Sequence, residues 1–464
     1  MSLVRSAMAN SRNSGEGINA DSAVGDPQIF YFGVFDGHGG SECSEFLRDE
    51  LHGYIEQTAQ EFELASSLRT RGKKETAQES GTEAELAGSE LQKPEEPASD
   101  GEKSVDEAET KEEEDTRNDM EPSEQRGDKV SEAQTEALEG ADPVPVEANA
   151  PVALRLEKEL VDEYKSTIGG YFRRFKPEHF NLNLESSTSP TITAESVLTY
   201  AFLRADLDFV TAQARKPDPD DPFVSDFPLN RDEILGSPHL PPSGHGIGGP
   251  VRFKGGSTAS VALISTPTPA PFWHPAAHST MLVAHVGDTR VLLCETATGR
   301  PRALTRAHHP SAPSEARRLT RFAGSLVTDS FGEERISGLA NSRAFGDMAS
   351  KRIGVVAEPE ITRAELRPAE YSFLVLMSDG VSGTLGDQEV VDVVKEARTP
   401  EQGARDVVEY ATEISADGDN ATCLVVRLGG WERRSEGGLG SLGTKEIRDA
   451  RRAEALDPRR RGGR

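Results

Sequence analysis

Four aspartates stand at the ends of apolar, strand-like runs in this chain of 464 residues. Asp36, Asp288 and Asp379 end the runs "FGVFD", "LVAHVGD" and "FLVLMSD", and Asp419 in "ADGDN" precedes a further run. Each of the four has a glycine beside it. A carboxylate at the end of a buried strand costs free energy unless it is paired or binds a cation. We therefore expect the four aspartates to converge on a shared cation site.

The chemistry of these ligands limits the choice of cation. All are hard oxygen donors, and the sequence has no HExxH pair and no cysteine cluster. This favours Mg²⁺ or Mn²⁺ over zinc. Gly37 has no side chain, so its carbonyl can also reach a metal. His38 has a suitable intrinsic pKa to give a proton to a leaving oxygen, although a single "DG" is usually a turn and a single histidine usually an ordinary one.

The composition indicates that part of the chain is unfolded, because only 35% of the residues are hydrophobic and 28% are charged. Residues 72–150 contain 25 Asp and Glu against 8 Lys and Arg, and no aromatic residue. We predict a disordered acidic insert there, either a spacer loop or an interaction arm. The Pro/Gly-rich stretch 216–250 predicts a second long loop, and 431–464 predicts a solvated, loosely structured basic tail.

Between these segments the patterns are regular. Apolar spacing predicts helices over 41–64 and 194–214. Runs rich in Val, Leu and other sheet-forming residues predict strands over 257–265, 279–295, 371–380 and 421–430. The chain is therefore expected to be one interrupted domain, 29–430, preceded by residues 1–28 and followed by the tail.

Several classes of protein are disfavoured. Cys43, Cys294 and Cys423 are far apart, which argues for a reducing compartment rather than a disulfide framework. No apolar run is long enough to predict a membrane span, and the charge gives no indication of nucleic-acid binding. We expect an intracellular monomer. The acid-free start "MSLVRSAMANSR" resembles a transit peptide and makes a mitochondrial location the alternative to a cytoplasmic one.

Six motifs, taken together and in this order, carry a family resemblance. The chain resembles the type 2C, metal-dependent Ser/Thr protein phosphatases, the PPM family, in "VFDGHGG" (34–40), "GGSTASVALI" (255–264), "VAHVGDTRVLLC" (283–294), "RISGLANSRAFGD" (335–347), "LVLMSDGVSG" (374–383) and "DNATCLVVRL" (419–428). The resemblance implies an α+β fold, a four-layer αββα sandwich of two antiparallel β-sheets flanked by helices. It also implies phosphoprotein substrates, whose phosphoserine and phosphothreonine are hydrolysed by a water that bridges two Mg²⁺ or Mn²⁺ ions.

The resemblance also implies roles for individual residues. Asp36 would bridge the two metals and Gly37 would ligate one through its carbonyl. Asp379 and Asp419 would complete the shell of the first metal, and His38 would be the general acid. Asp288 would lie near a weaker third metal, for which the family often has a further aspartate where this chain has Gly383.

The N-terminal segment departs from the family pattern of an Arg followed by an acidic pair. Aligning "NADS" with that pattern puts Ala20 in place of a glutamate, keeps Asp21 as the acid and leaves Arg12 as a distant phosphate ligand. We prefer the interpretation that residues 1–28 are a truncated segment and that the true Arg and acids lie upstream. No residue is assigned to the substrate phosphate. The alternative function is a pseudophosphatase, or a phosphoprotein-binding scaffold with an incomplete second metal site.

A last departure concerns "LTRAHHP", where the family often reads "LTxDHKP". Ala307 replaces an acid and His309 a lysine. We expect His308 and His309 to be loop residues rather than catalysts.

Overall fold

The computed structural model describes residues 28–64, 146–182, 191–218, 241–266, 270–320, 326–328, 334–336, 338–415, 418–434 and 439–456. All of them belong to one compact unit, formed by 1–66 together with 137–464. Residues 1–27, most of the predicted insert 72–150 and the middle of the predicted loop 216–250 lie outside the described residues. The last residues of the predicted insert, 146–150, lead into a helix.

Two antiparallel sheets form the centre of the unit. In chain order the strands are β1 (Gln28–His38), β2 (Gly256–Thr266), β3 (Ser279–Val286), β4 (Arg290–Glu295), β5 (Pro301–Ala303), β6 (Leu326–Thr328), β7 (Glu334–Ile336), β8 (Phe345–Gly346), β9 (Glu360–Leu366), β10 (Tyr371–Met377) and β11 (Cys423–Arg427). The first sheet has the order β1-β2-β3-β9, with β8 also paired to β2, and the second has the order β11-β10-β4-β5. Strands β6 and β7 form a separate pair.

Helices cover both sheets. They are α1 (Glu42–Glu61), α2 (Ala150–Thr167), α3 (Ala194–Ala214), α4 (Pro313–Thr320), α5 (Met348–Lys351), α6 (Asp379–Ser382), α7 (Asp387–Glu396), α8 (Pro400–Ile414) and α9 (Leu439–Ala455), with 3₁₀ turns at Gly170–Arg174 and Trp431–Arg433. One buried cluster joins α1 and α3 to the first sheet, and another joins α7 and α8 to the second. A third cluster, with Leu293 and Leu374, lies between the sheets. The predicted α+β sandwich of four layers is confirmed.

The predicted elements agree with the structure except at two points. The single strand predicted over 279–295 is two strands, because Gly287 has a positive φ of 104° and turns the chain at Asp288. Consequently β3 and β4 belong to different sheets. The strand predicted over 371–380 ends at Met377, and Asp379 begins the short helix α6.

The tail differs from the expectation of a loosely structured end. Residues Leu439–Ala455 form α9, whose arginines bind carboxylates on the neighbouring helices. Arg448 pairs with Glu396 at 2.7 Å, and Arg451 with Glu389 at 2.8 Å. Sequence composition alone does not reveal such partners. In the part of the chain that the structure describes, no helix is both long and apolar enough to cross a membrane.

The contact between the sheets predicts a large effect of one core substitution. Leu293 is fully buried between the two sheets, so we expect Leu293→Ala to lower the free energy of unfolding by about 2–5 kcal/mol. Urea denaturation measures the change. Ile29→Ala, at a β1 side chain that is 62% exposed, is the control and should stay within about 0.5 kcal/mol of wild type. Equal effects of the two substitutions would contradict the assigned core.

Candidate active site

The register of β1 and β2 places Asp36 directly opposite Thr258. Side chains of directly opposed residues lie on the same face of a sheet, so the Thr258 hydroxyl shares a face with the Asp36 carboxylate. That hydroxyl is buried and has no hydrogen-bond partner among the described residues. Gly287 lies against Thr258 so closely that a Cβ there would be 2.3 Å from Thr258 Cγ2. The turn that carries Asp288 is therefore packed onto the β2 position that faces Asp36.

The negative charges of the strand-end aspartates act on the pKa values of Asp36 and Asp288. The pKa of Asp36 is raised to about 8, first by burial, then by a hydrogen bond to Asp379 and by the negative charges of Asp379, Asp288 and Asp419. Burial and the charge of Asp379 also raise the pKa of Asp288. Residues more than 380 positions apart in sequence thus share one electrostatic environment.

Asp288 is held by a neighbour that sequence reasoning missed. The Asn341 Nδ2 donates to Asp288 Oδ2 at 2.8 Å, and this bond acts to lower the pKa that burial raises. Asn341 lies in "RISGLANSRAFGD". This stretch has no apolar periodicity from which the direction of the Asn341 side chain could be predicted. The Asn341 amide fixes one oxygen of Asp288, and a hydrogen bond from the backbone of Asp288 itself also acts to lower the pKa of this carboxylate.

A serine connects the two C-terminal aspartates. The Ser378 hydroxyl donates to the Asn420 carbonyl at 3.3 Å and accepts the Thr422 N–H at 3.0 Å. Gly380 lies so close to the same loop that a Cβ there would be 2.3 Å from the Asn420 carbonyl oxygen. The turn bearing Asp379 is therefore joined to the exposed loop bearing Asp419.

The donor set fits divalent cations in its chemistry. Mutually repelling carboxylates and an unpartnered hydroxyl are the groups that a hard cation and its water ligands would satisfy. Within the described residues, however, no group of three or more His, Cys, Asp or Glu side chains is already arranged as a metal cage. Asp419 is exposed and its Oδ1 accepts the Asn420 N–H at 2.7 Å. The aspartates are gathered together, and their carboxylates would have to turn to coordinate an ion.

His38 lies two residues beyond Asp36 and is paired with a second carboxylate. His38 Nε2 lies 2.8 Å and 3.0 Å from the two Asp347 oxygens, and the Asp347 side chain is only 5% exposed. Burial acts to lower the pKa of His38, but the bond to Asp347 and the charges of Asp347, Asp288 and Asp379 outweigh it and raise the pKa. The imidazole therefore favours the protonated form that a general acid needs.

Two glycines of "GGSTA" make room for this pair. A Cβ on Gly255 would lie 2.1 Å from the His38 carbonyl oxygen, and a Cβ on Gly256 would lie 2.3 Å from Asp347 Oδ2. The Asp347 N–H donates to the Gly255 carbonyl at 2.9 Å. These small residues are required because β1, β2 and the Asp347 turn meet at one point.

The sequence alone suggests an Arg343–Asp347 ion pair, and this is wrong. Arg343 binds Glu315 at 2.7 Å and the Glu358 carbonyl at 2.9 Å, whereas Asp347 binds His38. Asp347 also has a left-handed backbone with φ 45°, which is unusual for a residue other than glycine. The local sequence "FGD" gives only a weak indication of this turn.

The expectation that His308 and His309 are loop residues agrees with the structure, but His308 also has a structural function. Its Nδ1 accepts the Gly287 N–H at 3.0 Å and its Nε2 lies 3.1 Å from Glu360. It stacks on His285, which binds Ser260 and the Arg306 carbonyl. This buried pair supports the turn that carries Asp288.

Comparisons with known proteins find similarity to phosphatases. The family model described as "Protein phosphatase 2C" matches residues 251–419. The chain is 37% identical to "Protein phosphatase 2C homolog 4" of Schizosaccharomyces pombe over 58% of this chain and 62% of that protein. It is 34% identical to "Protein phosphatase 1K, mitochondrial" of Xenopus laevis over 38% of this chain and 44% of that protein. It is 35% identical to "Probable protein phosphatase 2C 71" of Arabidopsis thaliana over 41% of this chain and 38% of that protein.

The sequence matches and the site thus agree on one class of protein. The chain is similar to the protein phosphatase 2C family, and the family model covers residues 251–419 of it. It spans less than two thirds of the length of each of these three relatives.

The buried histidine pair predicts a loss of stability on mild acidification. Burial, and then the neighbouring His308, lower the pKa of His285 to about 3 from the usual histidine value of 6.5. Between these pH values the folded protein binds fewer protons than the unfolded chain, so stability falls as the pH decreases through that window. His285→Gln should remove up to about 1.4 kcal/mol per pH unit of that slope.

Urea unfolding at a series of pH values between 7 and 5 measures the slope. His274→Gln, at an exposed histidine, is the control and should leave the slope unchanged. An unaltered slope in the His285 variant would argue against a neutral, buried His285.

Proposed function

We propose that this chain is a metal-dependent protein phosphatase that hydrolyses phosphoserine and phosphothreonine in phosphoprotein substrates. The observation that carries the proposal is the gathering of Asp36, Asp288, Asp379 and Asp419 into one electrostatic environment beside His38. Similarity to the protein phosphatase 2C family supports the same reaction. Burial and the neighbouring carboxylates raise the pKa of Asp36, which fits a site built for metal ions.

We assign two Mg²⁺ or Mn²⁺ ions to this site. Asp36 and the Gly37 carbonyl, with Asp379 and Asp419, would hold them, and Asp288 would serve a weaker third ion. When bound, the ions supply positive charge for the phosphoryl oxygens and make an attacking water more acidic. Gly383 has no carboxylate to offer the third ion. It is exposed and follows the end of α6.

His38 would give a proton to the leaving Ser or Thr oxygen. Asp347 contacts Nε2 through both oxygens and so orients the ring and stabilises its protonated form. With Nε2 held by Asp347, the protonated ring has a second N–H at Nδ1 to donate to the leaving oxygen, and the His38 side chain is 37% exposed. Proton donation by a positioned side chain contributes about 10²–10⁴-fold in rate.

The location is proposed as intracellular. The three cysteines are free thiols, as is usual in a reducing compartment. A mitochondrial site is the specific alternative, since one relative is named "Protein phosphatase 1K, mitochondrial". Immunofluorescence of the tagged full-length chain distinguishes cytoplasmic from mitochondrial staining.

The assigned ligands predict the loss of metal-dependent turnover in two variants. Asp36→Asn and Asp379→Asn should each lower hydrolysis of a phosphothreonine peptide with Mn²⁺ by at least about 100-fold, because each removes a charged ligand. Asp49→Asn, at an exposed acid of α1 paired with Arg48, is the matched control and should retain wild-type activity. EDTA should abolish turnover by wild type.

Calorimetric titration with Mn²⁺ separates the enzyme from the pseudophosphatase. Two binding events in wild type that are lost in Asp36→Asn support the enzyme. Retained phosphopeptide binding with one metal site or none, and without turnover, would support the scaffold instead.

The assigned general acid predicts a dependence on the leaving group. His38→Gln should slow hydrolysis of phenyl phosphate by about 10²-fold or more, because its leaving oxygen is strongly basic and needs a proton. With p-nitrophenyl phosphate, whose leaving oxygen is weakly basic, the loss should be much smaller. His52→Gln, on α1, is the control. Equal losses on both substrates would exclude His38 as the proton donor.

A further inference from the structure

A buried ion pair beneath the site holds the segment that carries Asp347. Lys351 Nζ, at the end of α5, lies 2.8 Å from Asp206 Oδ2 on α3, and both side chains are 0% exposed. The other Asp206 oxygen accepts the Gly346 N–H at 2.9 Å. Lys351 also donates to the Ala344 carbonyl at 2.8 Å. The pair thus binds the chain on both sides of Phe345, directly before Asp347.

These contacts act on an unusual stretch of backbone. Gly346 has φ 71° and Asp347 has φ 45°, so two consecutive residues are left-handed. Residues with a Cβ rarely adopt this left-handed backbone conformation, and they keep it only where the surrounding structure imposes it. The bond from Gly346 N–H to Asp206 fixes the peptide plane at which the turn begins. This turn directs the Asp347 carboxylate toward His38.

Stability is a poor explanation for this ion pair. Burying two charges costs about as much as their attraction returns, and apolar replacements of similar volume are often no less stable. The geometry suggests a different function. One oxygen of the Asp206 carboxylate binds Lys351, and the other accepts the Gly346 N–H. Tyr164, also fully buried, adds a hydroxyl 3.1 Å from Asp206 Oδ2.

We propose that Asp206 is a positioning residue for proton donation: through Gly346 it sets the turn that holds Asp347 against His38. The proposal rests on the proposed function, in which His38 protonates the leaving oxygen. Asp206 touches neither substrate nor metal in this role. Its loss should therefore weaken proton donation selectively, with the metal-dependent part of the reaction preserved.

Two charge-balanced double variants test the proposal. D206L/K351M removes the acceptor of the Gly346 N–H and both buried charges. D206N/K351M also removes both charges but keeps a side-chain oxygen that can accept this N–H. The first should lower kcat for phenyl phosphate by about tenfold or more, with little change for p-nitrophenyl phosphate and an unchanged KM for both. The second should stay within about twofold of wild type on both substrates.

A matched control removes another buried ion pair of α3. Glu195 binds Arg363 of β9 at 2.9 Å, so E195L/R363M perturbs the same helix at a different partner. It should show no dependence on the leaving group. Should D206L/K351M fail to fold, as judged by circular dichroism, D206S/K351M replaces it, since the shorter serine cannot span the distance to Gly346.

The outcomes are distinct. Selective loss in D206L/K351M and recovery in D206N/K351M support the positioning function. Equal losses on both substrates, or identical behaviour of the two double variants, overturn it and leave a structural role only. If wild type itself fails to hydrolyse p-nitrophenyl phosphate with Mn²⁺, the proposed function fails, and that result is recognised before any variant is compared.

Discussion

The antiparallel pairing of β1 with β2 is the constraint on which the site depends. It runs from Gln28 opposite Thr266 to His38 opposite Gly256 without a break in register. Because side chains alternate between the faces of a strand, a slip of one residue would send Asp36 away from Thr258 and the other aspartates. The short strand β8 pairs with the same end of β2. One strand end therefore aligns Asp36, His38 and the turn that holds His38.

A segment whose one regular element is the two-residue strand β8 supplies two of the supporting side chains; it is called a loop here. Asn341 and Asp347 lie at the two ends of this loop and contact Asp288 and His38. Its middle is held by Glu315, which accepts hydrogen bonds from Arg343 and from the Ser342 hydroxyl. Burial would raise the pKa of Glu315, but the neighbouring arginines outweigh it and lower the pKa well below its usual range. Buried charge here replaces the rigidity that a strand would provide.

The sequence predicts what depends on periodicity and on motif order. The sheets, α1, α3 and the convergence of the strand-end aspartates follow from alternating or helical apolar patterns and from acids beside glycines. Asp347 and Asn341 could not be assigned, because their partners lie 309 and 53 residues away and a loop has no period. The helix α9 was missed for a similar reason, since the carboxylates on α7 and α8 that its arginines bind are distant in sequence.

Helix α9 also has a consequence for the segment that follows Asp379. Arg451 donates to the Thr384 carbonyl at 2.7 Å as well as to Glu389, so the chain end holds the residues just beyond α6. Arg452 reaches Glu413 between side chains that are 44% and 55% exposed. Attractions between exposed charges weaken as dissolved ions accumulate around them. The attachment of α9 to α8 through Arg452 is therefore more sensitive to ionic strength than its attachment through Arg451, whose partner Glu389 is only 13% exposed.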